Sequence, residues 1–486
     1  MGQERKLDRM KLDDMKKVRV ESSLEQNMAF MKKQLCLDKN FDIVYRVVQL
    51  GDRKGALYFI DGFTKDEILE KIIEFMMKQG AEGLPPEPHM FSKELMPYGE
   101  IELVDQMDQL VTKLLSGVSC LIVDGYDRAI TIDCRTYPSR SVQEPEKDKV
   151  LRGSRDGFVE TLVFNTALIR RRIRDPYLTM EVLQAGERSR TDIALCYIED
   201  RVDTKLLDEV KKKINHLKVD ALTMNQQSLA ECLYPYKWYN PFPKFKFSER
   251  PDTAAASMLE GNIIILVDNS PSAMILPSSA FDIIEEADDY YFPPMTGTYL
   301  RLSRFLITLV TLLLTPVFLL LVQNPQWLPE WLEFVRLADE VNVPIIFQLL
   351  ILELAIDGLR LAAVNTPSML TTPLSIIAAL VLGEFSVKSG WFNSETMLYM
   401  AFVTVANYSQ ASFEMGYALK FMRILILVLT ALFNVWGFAA GIAIVVLAVG
   451  FNRTISGKSY IYPLLPFSWK EFKARFFRQR LPHEID

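Results

Sequence analysis

FLITLVTLLLTPVFLLLV (305–322) decides the architecture, because 18 residues without a charge are enough for a membrane helix. A proline at 316 would kink such a helix without forbidding it. Arg301 and Arg304 precede the run and point its amino end inward. On the far side, QNPQWLPEWLEFVRLADEVN (323–342) carries a net charge of −3 and two tryptophans, as an outer face with an aromatic anchor would. Further apolar blocks follow at 343–363, 371–387, 396–414 and 424–450.

Working outward, composition divides at the same place. Residues 1–300 hold 41 basic and 49 acidic side chains, whereas residues 301–486 hold 14 and 12. An acidic, soluble half therefore precedes a membrane half. The opening MGQERKLDRMKLDDMKKVRVESS has no apolar signal core, so the soluble half is expected on the cytoplasmic side. It matches a myristoylation start poorly, since Lys6 stands where Ser or Thr is wanted. Cys36, Cys120, Cys134, Cys196 and Cys232 form no paired motif and read as reduced core thiols.

The soluble half reads as a duplication. GALYFIDGFTKDEILEKIIEFMMK (55–78) is a β-rich run, an acidic turn and an amphipathic helix, and DIALCYIEDRVDTKLLDEVKKKIN (192–215) repeats that order. Thr64 and Asp203 are the expected N-caps. GVSCLIVDGYDRAITIDC (117–134) and GNIIILVDNSPSAMILPS (261–278) both read as strand, turn, strand. A helical stretch precedes each hairpin, at 100–115 and 251–260. The predicted class is tandem α/β subdomains followed by a polytopic α-helical membrane domain. Its parts are a flexible segment at 1–29, a first cytoplasmic subdomain at 30–137 and a charged linker at 138–157. A second subdomain at 158–298, a membrane domain at 299–452 with four to six helices, and a basic tail at 453–486 complete it.

The last apolar block runs 27 residues without a charge, about 40 Å as one helix, longer than a bilayer core. It either tilts or breaks near Asn434–Gly437 into a hairpin, where Gly437 and Gly441 would allow close helix contact. The tail's seven basic and three acidic side chains place it inside. Both ends inside require an even number of crossings from five apolar blocks. One block is therefore re-entrant or interfacial, or the last crosses twice.

Within the second block, QLLILELAIDGLR (348–360) carries Glu353, Asp357 and Arg360 on one side of a helix. Three uncompensated charges in lipid would cost on the order of 8–10 kcal/mol, so compensation is required. Either Asp357 pairs with Arg360 and Glu353 is protonated or bonded inside a sealed bundle, or their face borders water and attracts cations. Glu384, Thr404, Asn407, Tyr408, Gln410 and Glu414 add polarity and favour a water-lined path. Arg170, Arg171, Arg172 and Arg174 near one helix end would serve as headgroup or interdomain contacts. The aromatic run YPYKWYNPFPKFKF (234–247) suits an interfacial or partner-binding loop.

Enzymatic readings find little support. Ser-Gly-Lys-Ser (456–459) lacks the earlier glycine of a phosphate loop, since Asn452 stands there, and it follows a membrane helix. His89, His216 and His483 are too few and scattered for a metal site. Glu285/Glu286 and Asp288/Asp289 read as solvated or interfacial acids. No cofactor and no nucleic acid is expected.

Several stretches, in this order, resemble the A-type subunits of the GerA family of bacterial spore germination proteins. They are 140–176, RSRTDIALCYIED (188–200), ADDYYFPP (287–294), RLSRFLITLVTLLLTPVFLLLV (301–322), PLSIIAALVLGEFSVKSG (373–390) and NYSQASFEMGYALKFMR (407–423). The resemblance spans residues 41–469. The ending YPLLPFSWKEFKARFF (462–477), with Ser-Tyr-Ile-Tyr-Pro at 459–463, is similar to a sporulation branch rather than to nutrient-receptor subunits. The resemblance implies the inner spore membrane, with soluble domain and tail facing the spore core. It also implies a homo-oligomeric ring, a pentamer, that conducts monovalent cations, with other germination membrane proteins as partners. The rival is a non-conducting receptor or scaffold subunit.

Overall fold

A computed structural model of the chain describes residues 9–79, 84–94, 100–136, 150–234, 238–365 and 383–478. The chain divides into two compact units, residues 1–235 with 247–277, and residues 236–246 with 278–486.

The first unit holds two five-stranded sheets of the same strand order. In the first, β1 (Ile43–Leu50), β2 (Arg53–Ile60), β3 (Ile101–Val104), β4 (Ser119–Val123) and β5 (Ala129–Ile132) are arranged β1-β2-β4-β5-β3, with every named pair antiparallel. In the second, β6 (Leu178–Ala185), β7 (Thr191–Ile198), β8 (Lys246–Ser248), β9 (Ile263–Val267) and β10 (Ala273–Leu276) follow β6-β7-β9-β10-β8.

Strand β4 is apolar at nearly every position because both of its faces are covered. Cys120 and Ile122 face the helices α1 (Leu24–Leu35) and α2 (Met107–Leu115), whereas Leu121 and Val123 pack with Leu69, Ile72 and Met76 on the other side. In the second sheet, α3 (Leu162–Arg172) and α4 (Pro251–Leu259) occupy the place of α1 and α2.

The duplication extends to single hydrogen bonds. Asn27 joins the backbone of Glu21 by both its amide groups, and Asn165 does the same with Val159. Asp124 accepts from the Leu24 amide at 3.1 Å, and Asp268 accepts from Leu162 at 3.3 Å. Each aspartate thus satisfies an otherwise orphaned donor at a helix start.

Three expectations need correction. Residues 9–29 are not a loose leader, because Met15, Val20 and Leu24 are buried in the first core. The stretch 100–115 is a strand followed by a helix, since Ile101–Val104 pairs with β5. Thr64 does not cap a helix but bridges Arg135, whereas Asp203 does accept from the Lys205 and Leu206 amides. Most of the expected linker, residues 137–149, lies outside the described residues.

The second unit is helical. Its long helices are α5 (Pro294–Gln323), α6 (Ile345–Asn365), α7 (Ser394–Tyr408) and α8 (Phe413–Gly450), with the short α9 (Trp469–Phe476) after them. Among the described residues α5 and α8 are long and apolar enough to cross a membrane. Residues 366–382, most of the block expected at 371–387, lie outside the described residues.

Helix α8 is two helices. Asn434 has φ 50° and ψ −128°, a conformation no helix interior holds, and asparagine tolerates positive φ better than most residues. The second arm returns along the first: Gly437 lies on the Leu429 carbonyl, Gly441 on Ile426, and Val445 shares a core with Met422. A Cβ at 437 would collide with the Leu429 carbonyl, so that approach demands glycine, and one at 441 would sit 3.1 Å from the Ile426 Cα, where the neighbour must give way. Asn324, just past α5, exchanges amide hydrogen bonds with Asn434 at 2.6 and 3.1 Å and holds the reversal. The last apolar block therefore folds back on itself.

Candidate functional site

Four of the residues that bear charge within the apolar helices, Glu353, Asp357, Lys420 and Arg423, meet where α6 faces the first arm of α8. These two helices run antiparallel, so Glu353 stands opposite Arg423 and Asp357 opposite Lys420. Arg423 donates to one Glu353 carboxylate oxygen from Nε at 2.8 Å and from Nη2 at 2.5 Å. Its Nη1 donates to the Thr311 carbonyl of α5 at 2.7 Å. Lys420 Nζ lies 3.3 Å from the other Glu353 oxygen, donates to the Glu353 carbonyl at 3.2 Å, and reaches Asp357 at 2.5 Å. The result is a neutral set of two acids and two bases.

Its members differ in exposure. Glu353, Lys420 and Arg423 are buried, whereas the Asp357 side chain is 32% exposed. Desolvating an ion costs several kcal/mol, so the buried Glu353 carboxylate depends on Arg423 and Lys420. Asp357 instead stands at the border of the set, with part of its side chain left uncovered.

Arg360 does not pair with Asp357. Lys420 has taken that acid, and the guanidinium lies over three rings, with centroids at 4.5 Å for Tyr408, 5.2 Å for Tyr417 and 5.8 Å for Phe413. A partly desolvated cation–π cage offers compensation of the same order as a surface ion pair. The three charges of 348–360 thus have three different surroundings: a buried ion pair for Glu353, a partly exposed one for Asp357 and a cage of rings for Arg360.

The other polar residues do not join this set. Glu384 is exposed and pairs with Lys388 one turn on, at 2.5 Å. Thr404 bonds back to the Met400 carbonyl at 2.7 Å. Asn407 turns its buried side-chain oxygen toward Gly416, where no hydrogen-bond partner meets it among the described residues. Glu414 is half-buried in the first turn of α8. Gln410 receives the Thr308 hydroxyl at 3.2 Å.

The arginine cluster separates likewise. Arg170 is fully buried and holds Asp42, from the first half of the duplication, at 2.7 and 3.0 Å. Arg172 binds Asp156 at 2.6 Å, while Arg171 and Arg174 are exposed. One arginine of the four therefore ties the two halves together.

Glu285 and Asp289 are not solvated acids. Arg301 meets Glu285 at 2.6 Å, Arg304 meets Asp289 at 3.3 Å and also Glu286, and Arg475 meets Asp282 and Glu285. Burial pushes the Asp289 carboxyl above its ordinary range, against the opposing pull of Arg304 and Arg301. No cluster of three metal-ligating residues occurs among the described residues.

Sequence reasoning missed Lys420 and Arg423, which supply the charge balance. Their signal was available: two bases three apart, in an otherwise apolar run, answer two acids four apart.

Residues 30–485 match the model of the Bacillus/Clostridium GerA spore germination protein family. Stage V sporulation protein AF of Bacillus subtilis (strain 168) is 35% identical over 93% of this chain and 92% of its own length. Spore germination protein KA of the same organism is 28% identical over 95% and 85%, and spore germination protein B1 is 26% identical over 95% and 95%. Among solved structures, the N-terminal domain of the A subunit of the Bacillus megaterium spore germinant receptor GerK3 aligns at 25% identity with a TM-score of 0.42. It covers 53% of this chain and 96% of that domain. The chain belongs to the GerA family of spore germination proteins.

Proposed function

We propose that this chain is a subunit of a ring-shaped homo-oligomer, a pentamer, that conducts monovalent cations across the inner membrane of the spore and triggers or amplifies germination. In this reading the soluble unit and the tail face the spore core, other germination membrane proteins are its partners, and no catalytic chemistry is involved. The observation that carries it is Asp357: an acid in an apolar helix, bound to Lys420 at 2.5 Å yet a third exposed. A charge so placed is stable in a membrane only if water or a neighbouring copy reaches it. The cation path then runs between copies, along the border of the charged set rather than through it.

Glu353 has a different role in this account. Buried and clamped by Arg423, it fixes α6 to α8 and α5 so that Asp357 is held at the border. The rival scaffold reading draws on the same neutrality, since a set of two acids and two bases also suits a static bundle. Potassium efflux from vesicles containing the full chain separates the two. The channel account expects efflux above that of empty vesicles, altered by Asp357→Asn; the scaffold account expects none.

A further inference from the structure

We propose that residues 464–478 form an anchor lying in the plane of the membrane surface, which takes the headgroups of anionic lipids. This inference rests on the membrane reading above.

The segment has one face fixed to the protein and one left open. Inward, Phe476 packs on Phe305 and Phe281, with ring centroids 4.8 and 5.4 Å apart. Arg301 donates to the carbonyls of Ala474 at 2.9 Å and Arg475 at 3.3 Å, satisfying acceptors at the end of α9. The Arg478 amide donates to the Thr298 hydroxyl at 3.1 Å. Apart from Phe281, the partners named here lie between residues 298 and 305 of α5. The charge-free run begins at residue 305, so α9 is held at the level where hydrocarbon gives way to headgroups.

Outward, Phe467 and Trp469 make a raft of rings with Phe472, which is half-buried and stacks on Phe476 at 4.3 Å. Trp469 and Phe472 stack at 5.6 Å and 8°, and Phe467 lies 6.1 and 5.8 Å from them. Phe467 is 60% exposed and Trp469 57%, with Leu465 exposed beside them. Water is a poor solvent for such a surface, whereas the bilayer interface favours amphipathic aromatic rings. Lys470 and Lys473 are exposed on the same short helix, and Lys473 Nζ lies 5.1 Å above the Trp469 ring. Aromatic rings flanked by lysines are the chemistry of an interfacial segment that binds acidic lipid. The register against α5 and this positive charge favour lipid over a second protein surface.

Depth-dependent quenching tests the proposal in the full chain. A variant keeping only Trp469, with the other tryptophans changed to Phe, is reconstituted in phosphatidylcholine vesicles with or without phosphatidylglycerol. A second variant keeps only Trp436, on the α8 reversal, as a control. Trp469 should be quenched by bromines placed near the headgroups more than by bromines deep in the acyl chains. Phosphatidylglycerol should increase its shielding from aqueous iodide, and Lys470→Glu with Lys473→Glu should abolish that increase. Iodide quenching of Trp469 without bromine quenching, while Trp436 responds to bromine, overturns the anchor and leaves the membrane reading standing. Shielding of Trp469 from both quenchers shows a protein cover and also overturns it. Silence of both tryptophans toward bromine sinks the membrane reading itself. A photoreactive benzophenone amino acid at position 467 of the otherwise native chain gives an independent readout: phospholipid adducts are expected, and exclusively protein adducts contradict the anchor.

Discussion

Glu353 and Asp357 sit one helical turn apart, yet their substitutions should read out differently. Glu353→Gln leaves Arg423 buried beside a neutral partner, and loss of one member of a buried pair costs about 3–5 kcal/mol. Asp357 is partly exposed, so Asp357→Asn should cost far less. Thermal unfolding of the detergent-solubilised chain measures both; equal losses would mean that the two acids share one environment. Asp289 gives a pH test. Its native pKa is raised, by burial first, against an ordinary value of about 3.9 in the unfolded chain. Its favourable contribution is therefore complete below that value and is lost as pH rises through the native pKa. Glu285, Glu286, Arg301 and Arg304 surround it. The stability of Asp289→Asn relative to the native chain should rise from pH 4 to pH 8, and a difference that stays flat would contradict the assignment.

At the scale of elements, the reversal in α8 is the decisive feature. A continuous helix would separate residues 422 and 445 by about 34 Å, whereas the folded-back arms place Met422 and Val445 in one core. Cysteines at these two positions should be joined by a short bifunctional thiol cross-linker that cannot span a continuous helix, and failure to cross-link in a folded chain would contradict the hairpin. Gly441→Leu should weaken the hairpin, because Ile426 occupies the space its side chain needs. The sequence offers this break beside a tilted single helix, since 27 uncharged residues exceed a bilayer and Asn434–Gly437 interrupts the run with a polar residue and a glycine. The βα repeat was legible in the same way, from alternation and turn residues. The strands Ile101–Val104 and Lys246–Ser248 were not: four and three residues are too short for a periodic signal, and long-range pairing defines them.

For the whole molecule, what could be read in the sequence was the division of labour, a duplicated soluble half before an apolar half. The candidate site was readable only in part. The acids of 348–360 stand out because lipid makes charge expensive, but their partners lie on a helix distant in sequence, and nothing local pairs Glu353 with Arg423 or Asp357 with Lys420. The option of pairing Arg360 with Asp357, one of two left open by the sequence, fails for the same reason: helical spacing offers Asp357, while the fold offers Tyr408, Tyr417 and Phe413. Similarly, the buried tie from Arg170 to Asp42 joins two halves that periodicity treats as independent.

The central claim is that copies of this chain assemble a cation path bordered by Asp357. Potassium efflux from vesicles reconstituted with the full chain, native and Asp357→Asn, tests it most directly. The account predicts efflux from the native oligomer and a changed rate in the variant at equal protein content and oligomer size. Efflux indistinguishable from that of empty vesicles, with the native oligomer inserted and intact, would contradict it.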